Sequence, residues 1–230
     1  MSNDNGTQTL ESMSQAVWYN HWTLQKFAKF LRGDILEVGC GTGNFTDELT
    51  KYGSVWAIDI NQDYVLKTKE QLTGKAQVGL GDIEKNRYFF GDQKFDSIVC
   101  LNVLEHIEDD QSALTNLFNL LKVGGRLILL IPVHQFLYGE IDKSIGHVRR
   151  YDKSKICNRL KKIGFKIEFS KKLNFIGALG WLIAGKILKE ATVKKGNIKL
   201  FNLVAPLFLR FENFIEPPIG TSILIVAQKP

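Results

Sequence analysis

The sequence Asp34-Ile-Leu-Glu-Val-Gly-Cys-Gly-Thr-Gly43 decides the fold, because a short apolar strand runs directly into a glycine-rich turn. Three alternating glycines allow positive φ angles and a close approach of the backbone to a ligand. A helix is predicted to follow, and its N-terminus offers free N–H groups to a carboxylate. The glycine spacing differs from the G-x-G-x-x-G of dinucleotide-binding turns, and the absence of Gly-Lys-Ser/Thr disfavours a P-loop. The turn therefore predicts a ligand site at the end of the first strand.

Hydrophobic periodicity predicts strands that alternate with helices along the chain. The predicted strands lie at residues 34–39, 55–60, 76–80, 96–101, 126–131, 165–169 and 222–227, and the predicted helices at 14–31, 44–52, 62–72, 109–121 and 153–163. This order is typical of an α/β fold with a mostly parallel sheet covered by helices on both faces, here one domain over residues 1–230. Such sheets bind ligands beyond the carboxyl ends of their strands.

An aspartate ends the second predicted strand. Asp59 follows Gly43 by 16 residues, where an acidic side chain can accept hydrogen bonds from both hydroxyls of a ribose. An aspartate at a strand end is a common turn residue when it stands alone. In combination with the glycine turn, it predicts that the chain binds a nucleoside.

Further motifs follow the later strands: Gly81-Asp82-Ile83, Asn102-Val-Leu-Glu-His-Ile107 and Leu121-Lys-Val-Gly-Gly-Arg-Leu127. With the glycine turn and Asp59, they resemble class I S-adenosylmethionine-dependent methyltransferases, in a bacterial subgroup similar to types 11, 12 and 23. The resemblance covers residues 34–131. It implies a Rossmann-like, seven-stranded sheet of order 3-2-1-4-5-7-6 with the last strand antiparallel.

The resemblance also implies a cofactor, S-adenosyl-L-methionine, with S-adenosyl-L-homocysteine as its product. The implied contacts are Glu37, Gly39, Cys40, Gly41 and Gly43 with the methionine part, Asp59 with the ribose, Ile60 with the adenine face, Asp82 and Ile83 with the adenine amino edge, and Leu101 and Asn102 beside the sulfonium. Acidic residues suit a cofactor that carries a positive sulfonium and no phosphate.

Residues 132–151, called the acceptor segment below, follow the fifth predicted strand and can form a lid over the methyl group. They include His134, Tyr138, His147, Arg149 and Arg150. We predict His147 as the base or acceptor-orienting group, with His134 the next candidate, and an arginine that grips an anionic acceptor. The alternative is that these charges pair with each other and fix a loop.

The other polar candidates are assigned structural roles. His106 is interpreted as packing in the cofactor pocket, and no pair of cysteines or histidines has the spacing of metal ligands, so no metal is predicted. Three cysteines in 230 residues indicate a reduced, cytoplasmic protein, and the polar residues 1–15 predict a flexible tail rather than a secretion signal.

Charge and apolar residues are concentrated towards the C-terminus. Residues 143–199 hold 16 Lys/Arg and three acids, although the whole chain carries only +6. Residues 173–220, called the C-terminal insert below, mix these lysines with aromatic and aliphatic side chains. The insert can cover the sheet or form a homodimer interface. It can also contact the inner face of a membrane peripherally through residues 173–212.

The resemblance predicts an enzyme that transfers a methyl group by in-line displacement to a small-molecule, lipid-linked or glycan acceptor, at a hydroxyl. One alternative is an RNA or protein methyltransferase, suggested by the basic pI of about 9.1. Nucleic acid is disfavoured because the fourth strand does not end in an Asn-Pro-Pro-Tyr type phrase, and no RNA-binding module is visible. Another alternative is a non-catalytic subunit that binds the cofactor.

Overall fold

The computed structural model describes residues 17–188, 190 and 195–230, except the side chains of Val17, Lys195 and residues 197–200. The predicted tail, residues 1–15, and part of the C-terminal insert lie outside the described residues. Among the described residues, no helix combines the length and apolar character needed to cross a bilayer.

A mixed sheet of eight strands forms the centre of the fold. The strands are β1 Asp34–Val38, β2 Ser54–Asp59, β3 Ala76–Asp82, β4 Arg87–Tyr88, β5 Phe95–Leu101, β6 Leu121–Pro132, β7 Lys166–Leu173 and β8 Ser222–Gln228. Their order is β4-β3-β2-β1-β5-β6-β8-β7, and β8 runs antiparallel to both of its neighbours. Without β4, this is the predicted seven-stranded order. The additional strand is a two-residue antiparallel pairing with the end of β3.

Helices cover both faces of this sheet. They are α1 Val17–Phe27, α2 Thr46–Leu49, α3 Gln62–Gln71, α4 Asp110–Leu120, α5 Glu140–Ser144, α6 Lys153–Ile163, α7 Phe175–Trp181 and α8 Lys195–Leu209, with a π-helical stretch at Leu182–Ile187. The helix predicted at 44–52 is much shorter than expected. Gly43 has a φ of +79°, which keeps the chain out of a helix until Thr46, and the chain must turn at Gly53 to enter β2.

Strand β8 shows how the sheet divides the core. Ile223 and Ile225 pack with α4 and α6 on one face, whereas Leu224 and Val226 pack with α1 and α8 on the other. Alternate side chains of a strand point to opposite faces, so an uninterrupted apolar strand requires cover on both. Each large side chain buried in this way contributes about 1.5–3 kcal/mol.

The parallel strands end together at one edge of the sheet. Val38 is in register with Ile58 of β2 and with Cys100 of β5, so the residues that follow these strands meet above the sheet. The glycine turn, Asp59 and Asn102 therefore share this edge, as expected from the sequence.

Candidate active site

The glycine turn is shaped by its backbone. Gly39, Gly41 and Gly43 have φ angles of +77°, +51° and +79°. A Cβ atom on Gly39 would lie 2.2 Å from Cγ2 of Val103, so only glycine fits there. The Gly39 and Cys40 N–H groups both donate to the carbonyl of Ile58, at 2.8 and 3.1 Å, which fixes the turn against β2. The turn is thus fixed at the end of β1, with Gly41 N in hydrogen-bond contact with Asp59.

Asp59 is held by two backbone N–H groups. Its Oδ2 accepts from Gly41 N and its Oδ1 from Asn61 N, both at 2.9 Å. Burial raises the pKa of Asp59, and the backbone N–H groups oppose that rise. Each carboxylate oxygen keeps a further lone pair, so the side chain can still accept from two ribose hydroxyls. Ile60 beside it is 77% exposed and offers an apolar face to an adenine ring.

Glu37 lies buried below the glycine turn. Its Oε2 accepts the hydroxyl hydrogen of Thr46 at 2.5 Å. Burial raises the pKa of Glu37 to about 8. The partner of Glu37 is thus Thr46, the first residue of α2. A cationic ammonium group near the turn would favour the ionised form of Glu37.

The remaining implied cofactor residues lie along the same edge. Asp82 accepts a hydrogen bond from Lys85 N at 3.0 Å. The Ile83 side chain is buried in the core. Asn102 has a φ of +54°, its N–H donates to the Leu130 carbonyl, and its side chain is exposed beside Leu101. Cys40 is buried, and burial raises the pKa of its thiol.

Asp142 organises the acceptor segment. It is fully buried and accepts four hydrogen bonds: from His147 Nδ1 and Arg150 Nε, both at 2.8 Å, from Trp181 Nε1 at 2.9 Å, and from Gly139 N at 3.0 Å. Because Asp142 takes the Nδ1 hydrogen of His147, the Nε2 atom presents a lone pair. These hydrogen bonds hold the pKa of Asp142 below its usual range although burial opposes them. The sequence placed Asp142 among the polar residues of the acceptor segment and Trp181 in the C-terminal insert, but it did not predict that the two meet.

The two arginines have partners within the chain. Arg150 Nε binds Asp142, and the Arg150 side chain is only 2% exposed. Arg149 Nη1 lies 2.9 Å from a carboxylate oxygen of Asp110. The arrangement is the alternative considered from the sequence, in which the charges of this segment pair and fix a loop.

Of the other two candidates in the segment, Tyr138 supports this network and His134 lies apart from it. The Tyr138 hydroxyl donates to the His147 carbonyl at 2.7 Å, so it holds the histidine backbone. His134 stands at the end of β6 with a φ of +65°, and its ring packs on Phe136. It lines a different cleft, of ≈ 560 Å³, together with residues of α6 and β7.

Glu105 is the main residue that the sequence did not single out. It follows β5, it is 0% exposed, and neither carboxylate oxygen has a hydrogen-bond partner within the described part of the chain. Its Oε1 lies 3.6 Å from Nε2 of His147, and burial raises its pKa to about 8. The His106 ring packs edge-on against the His147 ring, with centroids 4.8 Å apart. The sequence signal that could have found Glu105 is an acid next to a histidine within an otherwise apolar stretch.

Glu105, His106 and His147 are also the described residues that can hold a metal ion. Their ligand atoms lie within 4.8 Å of one another. The sequence prediction of no metal considered local spacing only, and His147 is distant from the other two in the chain.

The comparisons with known proteins agree with this geometry. Residues 36–129 match the model of a family described as "Methyltransferase domain". The ubiquinone biosynthesis O-methyltransferase of Coxiella burnetii is 34% identical over 100 residues, which are 40% of this chain and 41% of that protein. The mitochondrial enzyme of that name from Schizosaccharomyces pombe is 30% identical over 102 residues, 41% of this chain and 36% of that protein. The match therefore spans about two fifths of the length of these curated relatives.

Solved structures share the fold over most of the chain. A putative methyltransferase from Bacillus halodurans has a TM-score of 0.59 at 22% identity, covering 90% of this chain and 98% of that one. Phosphoethanolamine N-methyltransferase 2 of Haemonchus contortus, solved with S-adenosyl-L-methionine, has a TM-score of 0.61 at 16% identity, covering 92% of this chain and 52% of that one. Residues 36–129 resemble a methyltransferase domain, and the chain shares its fold with solved methyltransferases, one of which binds S-adenosyl-L-methionine. The turn, Asp59 and Ile60 suit that cofactor.

Proposed function

We propose that the protein transfers a methyl group from S-adenosylmethionine to a hydroxyl of a small-molecule, lipid-linked or glycan acceptor. Two kinds of support point to a hydroxyl. Curated relatives carry the name ubiquinone biosynthesis O-methyltransferase. Two buried polar groups, Nε2 of His147 and the Glu105 carboxyl, also lie 3.6 Å apart in the segments that follow β6 and β5.

The gap between His147 and Glu105 carries this proposal. Burial raises the pKa of Glu105 to about 8, so above that pH its carboxylate and Nε2 of a neutral His147 are both acceptors, and they face each other across 3.6 Å. A buried acceptor without a donor is unfavourable, so this pair favours a ligand that brings a hydrogen. A hydroxyl supplies one hydrogen and an oxygen that can receive the methyl group.

The residues of the chain then have distinct roles in the transfer. The cofactor supplies a methyl group already activated by the sulfonium. Asp59 and Ile60 fix the adenosine end, and Glu37 and the glycine turn hold the methionine end. His147 is the base or acceptor-orienting group, and Asp142 keeps its ring in one tautomer and orientation. The new oxygen–carbon bond forms as the carbon–sulfur bond breaks, which needs alignment more than further activation of the leaving group.

The C-terminal insert exposes apolar side chains that an apolar acceptor or a membrane can contact. Leu203, Leu207 and Phe211 are 78%, 64% and 67% exposed along one side of α8 and the turn after it. Exposed aromatic and aliphatic side chains can enter a membrane interface, and the excess of Lys/Arg in residues 143–199 favours anionic lipid. We therefore propose peripheral membrane contact through residues 173–212. Co-sedimentation with vesicles of anionic and of zwitterionic lipid tests this, and equal partition into both pellets, or into neither, contradicts it.

The function is tested by incubating the protein with methyl-labelled cofactor and extracts that contain quinols, lipids, glycans or RNA. Label on a hydroxylated small molecule or lipid supports the proposal, whereas label on RNA alone supports the alternative enzyme. No transfer to any extract, with the cofactor still bound, supports a non-catalytic subunit.

Variants then locate the acceptor site. His147→Ala should lower turnover and leave cofactor affinity unchanged. His21→Ala is the matched control, because His21 is exposed on α1 and hydrogen-bonds only to Gln25 among the described residues. Equal turnover in His147→Ala and the control would refute the role of His147.

A further inference from the structure

The environment of Glu105 is incomplete. The side chain is fully buried at the carboxyl end of β5, and both of its oxygens are without a hydrogen-bond partner among the described residues. Buried carboxylates in proteins are normally paired with a cation, hydrogen-bonded or bound to a metal. The acceptor hydroxyl proposed above satisfies this group only while the acceptor is bound, so something else is expected to satisfy it between turnovers.

Two imidazoles complete a set of three ligands around Glu105. Its ligand atoms and those of His106 and His147 lie within 4.8 Å of one another. The 3.6 Å between Glu105 Oε1 and His147 Nε2 is close to the edge of about 3.4 Å expected for a tetrahedron with 2.1 Å bonds. The His106 ring packs edge-on against the His147 ring, with centroids 4.8 Å apart, so the three ligand groups lie side by side.

The second nitrogen of the His147 ring bonds as in a metal site. His147 Nδ1 donates to Asp142 at 2.8 Å, and Asp142 is fixed by Arg150 and Trp181. Histidines that bind metals commonly donate their other N–H to a carboxylate or a backbone carbonyl, which fixes the tautomer and leaves one lone pair for the ion.

We propose that Glu105, His106 and His147 bind a divalent transition-metal ion of the zinc class. Two imidazoles and one carboxylate suit Zn²⁺ or Co²⁺, whereas Mg²⁺ and Ca²⁺ prefer oxygen ligands. With Glu105 ionised, Glu105 and Asp142 outweigh the single positive charge of Arg150, so the cluster favours a cation. Three protein ligands leave a coordination position open, as in catalytic rather than structural zinc sites.

The role of the ion in methyl transfer rests on the proposed function. If that function holds, the ion makes the chemistry of the acceptor more specific. A hydroxyl bound at the open position has a lower pKa, so its proton is released to solvent and its oxygen becomes the nucleophile. In that state His147 orients the acceptor through the ion and does not act as the base. Acceptors with a phenolic or quinol hydroxyl fit this chemistry, because their oxygen ionises more readily than that of an alcohol.

Metal binding is tested on the full chain after dialysis against a chelator, first by calorimetric titration with Zn²⁺ and then by the visible absorption of Co²⁺. The wild type should bind one ion per chain. Glu105→Gln and His106→Ala should each weaken binding by about 100-fold or more. His21→Ala is the control and should bind like the wild type. Because His106 is exposed, its replacement leaves the fold intact even where the Glu105 variant does not fold.

Three outcomes overturn the proposal: no binding at one ion per chain, binding that His106→Ala leaves unchanged, or a Co²⁺ spectrum without imidazole coordination. Methyl transfer separates this inference from the proposed function. Full transfer by chelated, metal-free protein leaves the methyltransferase proposal standing and refutes the role of the ion. One bound ion without transfer to any acceptor supports the site and contradicts the function.

Discussion

Replacing Asp142 by asparagine tests how the acceptor segment is held in place. The substitution keeps the size of the side chain but removes the charge opposite Arg150, whose side chain is 2% exposed. Breaking a buried ion pair from one side costs about 3–5 kcal/mol, because it leaves an uncompensated charge in the interior. The new amide group also faces donors from Trp181 Nε1 and Gly139 N, or from His147 and Arg150, whichever way it turns.

The assay is urea unfolding followed by circular dichroism, with a thermal scan. For a chain of this size, 3–5 kcal/mol corresponds to a melting temperature lower by about 6–20 °C. Glu140→Gln is the matched control on the same helix, because the Glu140 side chain is 45% exposed and pairs only with Lys143 among the described residues. It should change stability by less than about 1 kcal/mol. Adding Arg150→Met to Asp142→Asn should recover much of the loss.

The reasoning is refuted if Asp142→Asn lies within about 1 kcal/mol of the wild type. It is also refuted if Arg150→Met gives no recovery, since the cost is attributed to the unpaired guanidinium.

The other predictions concern the cofactor. Asp59→Ala should weaken S-adenosylmethionine binding by about 1.5–3 kcal/mol in calorimetry, because charge-assisted hydrogen bonds are lost. Asp63→Ala is the control, since Asp63 is exposed on α3, and it should leave the affinity unchanged. Equal affinities of the two variants would contradict the role of Asp59. Glu37 has its pKa raised to about 8, and the ammonium of the cofactor favours its ionised form. Affinity should therefore rise with pH by up to about tenfold per unit below pH 8 and then level off, and Glu37→Gln should abolish this rise. A pH profile that is the same in Glu37→Gln and the wild type would count against contact with the ammonium.

The strands and helices could be predicted because local patterns determine them, whereas the strand order was implied only by the resemblance to the methyltransferase family. The apolar run of β8 and the helical period of α6 need only their own residues, and the predicted helix at 153–163 has the bounds found in the structure. The glycine turn and Asp59 were also predictable, since positive φ angles and a strand end are local properties. Strand β4 was missed because two residues give no period, and it forms only by pairing with the end of β3.

The acceptor site could not be predicted in the same way. His147 was marked by its phrase, but Glu105 meets it only through the fold. Asp142 receives Trp181 from the C-terminal insert, a contact between segments that are 39 residues apart. Such partners are set by packing, so residue types in the segment alone left open whether Arg149 and Arg150 face a ligand or the chain.

The atom that receives the methyl group tests the central claim most directly. The purified product of a reaction with ¹³C-methyl cofactor can be examined by NMR, where the carbon shift distinguishes a methyl on oxygen from one on nitrogen or carbon. We expect an O-methyl product from the wild type and a much slower appearance of it in His147→Ala. A methyl on nitrogen or carbon, or an O-methyl product formed equally fast without His147, would contradict the account.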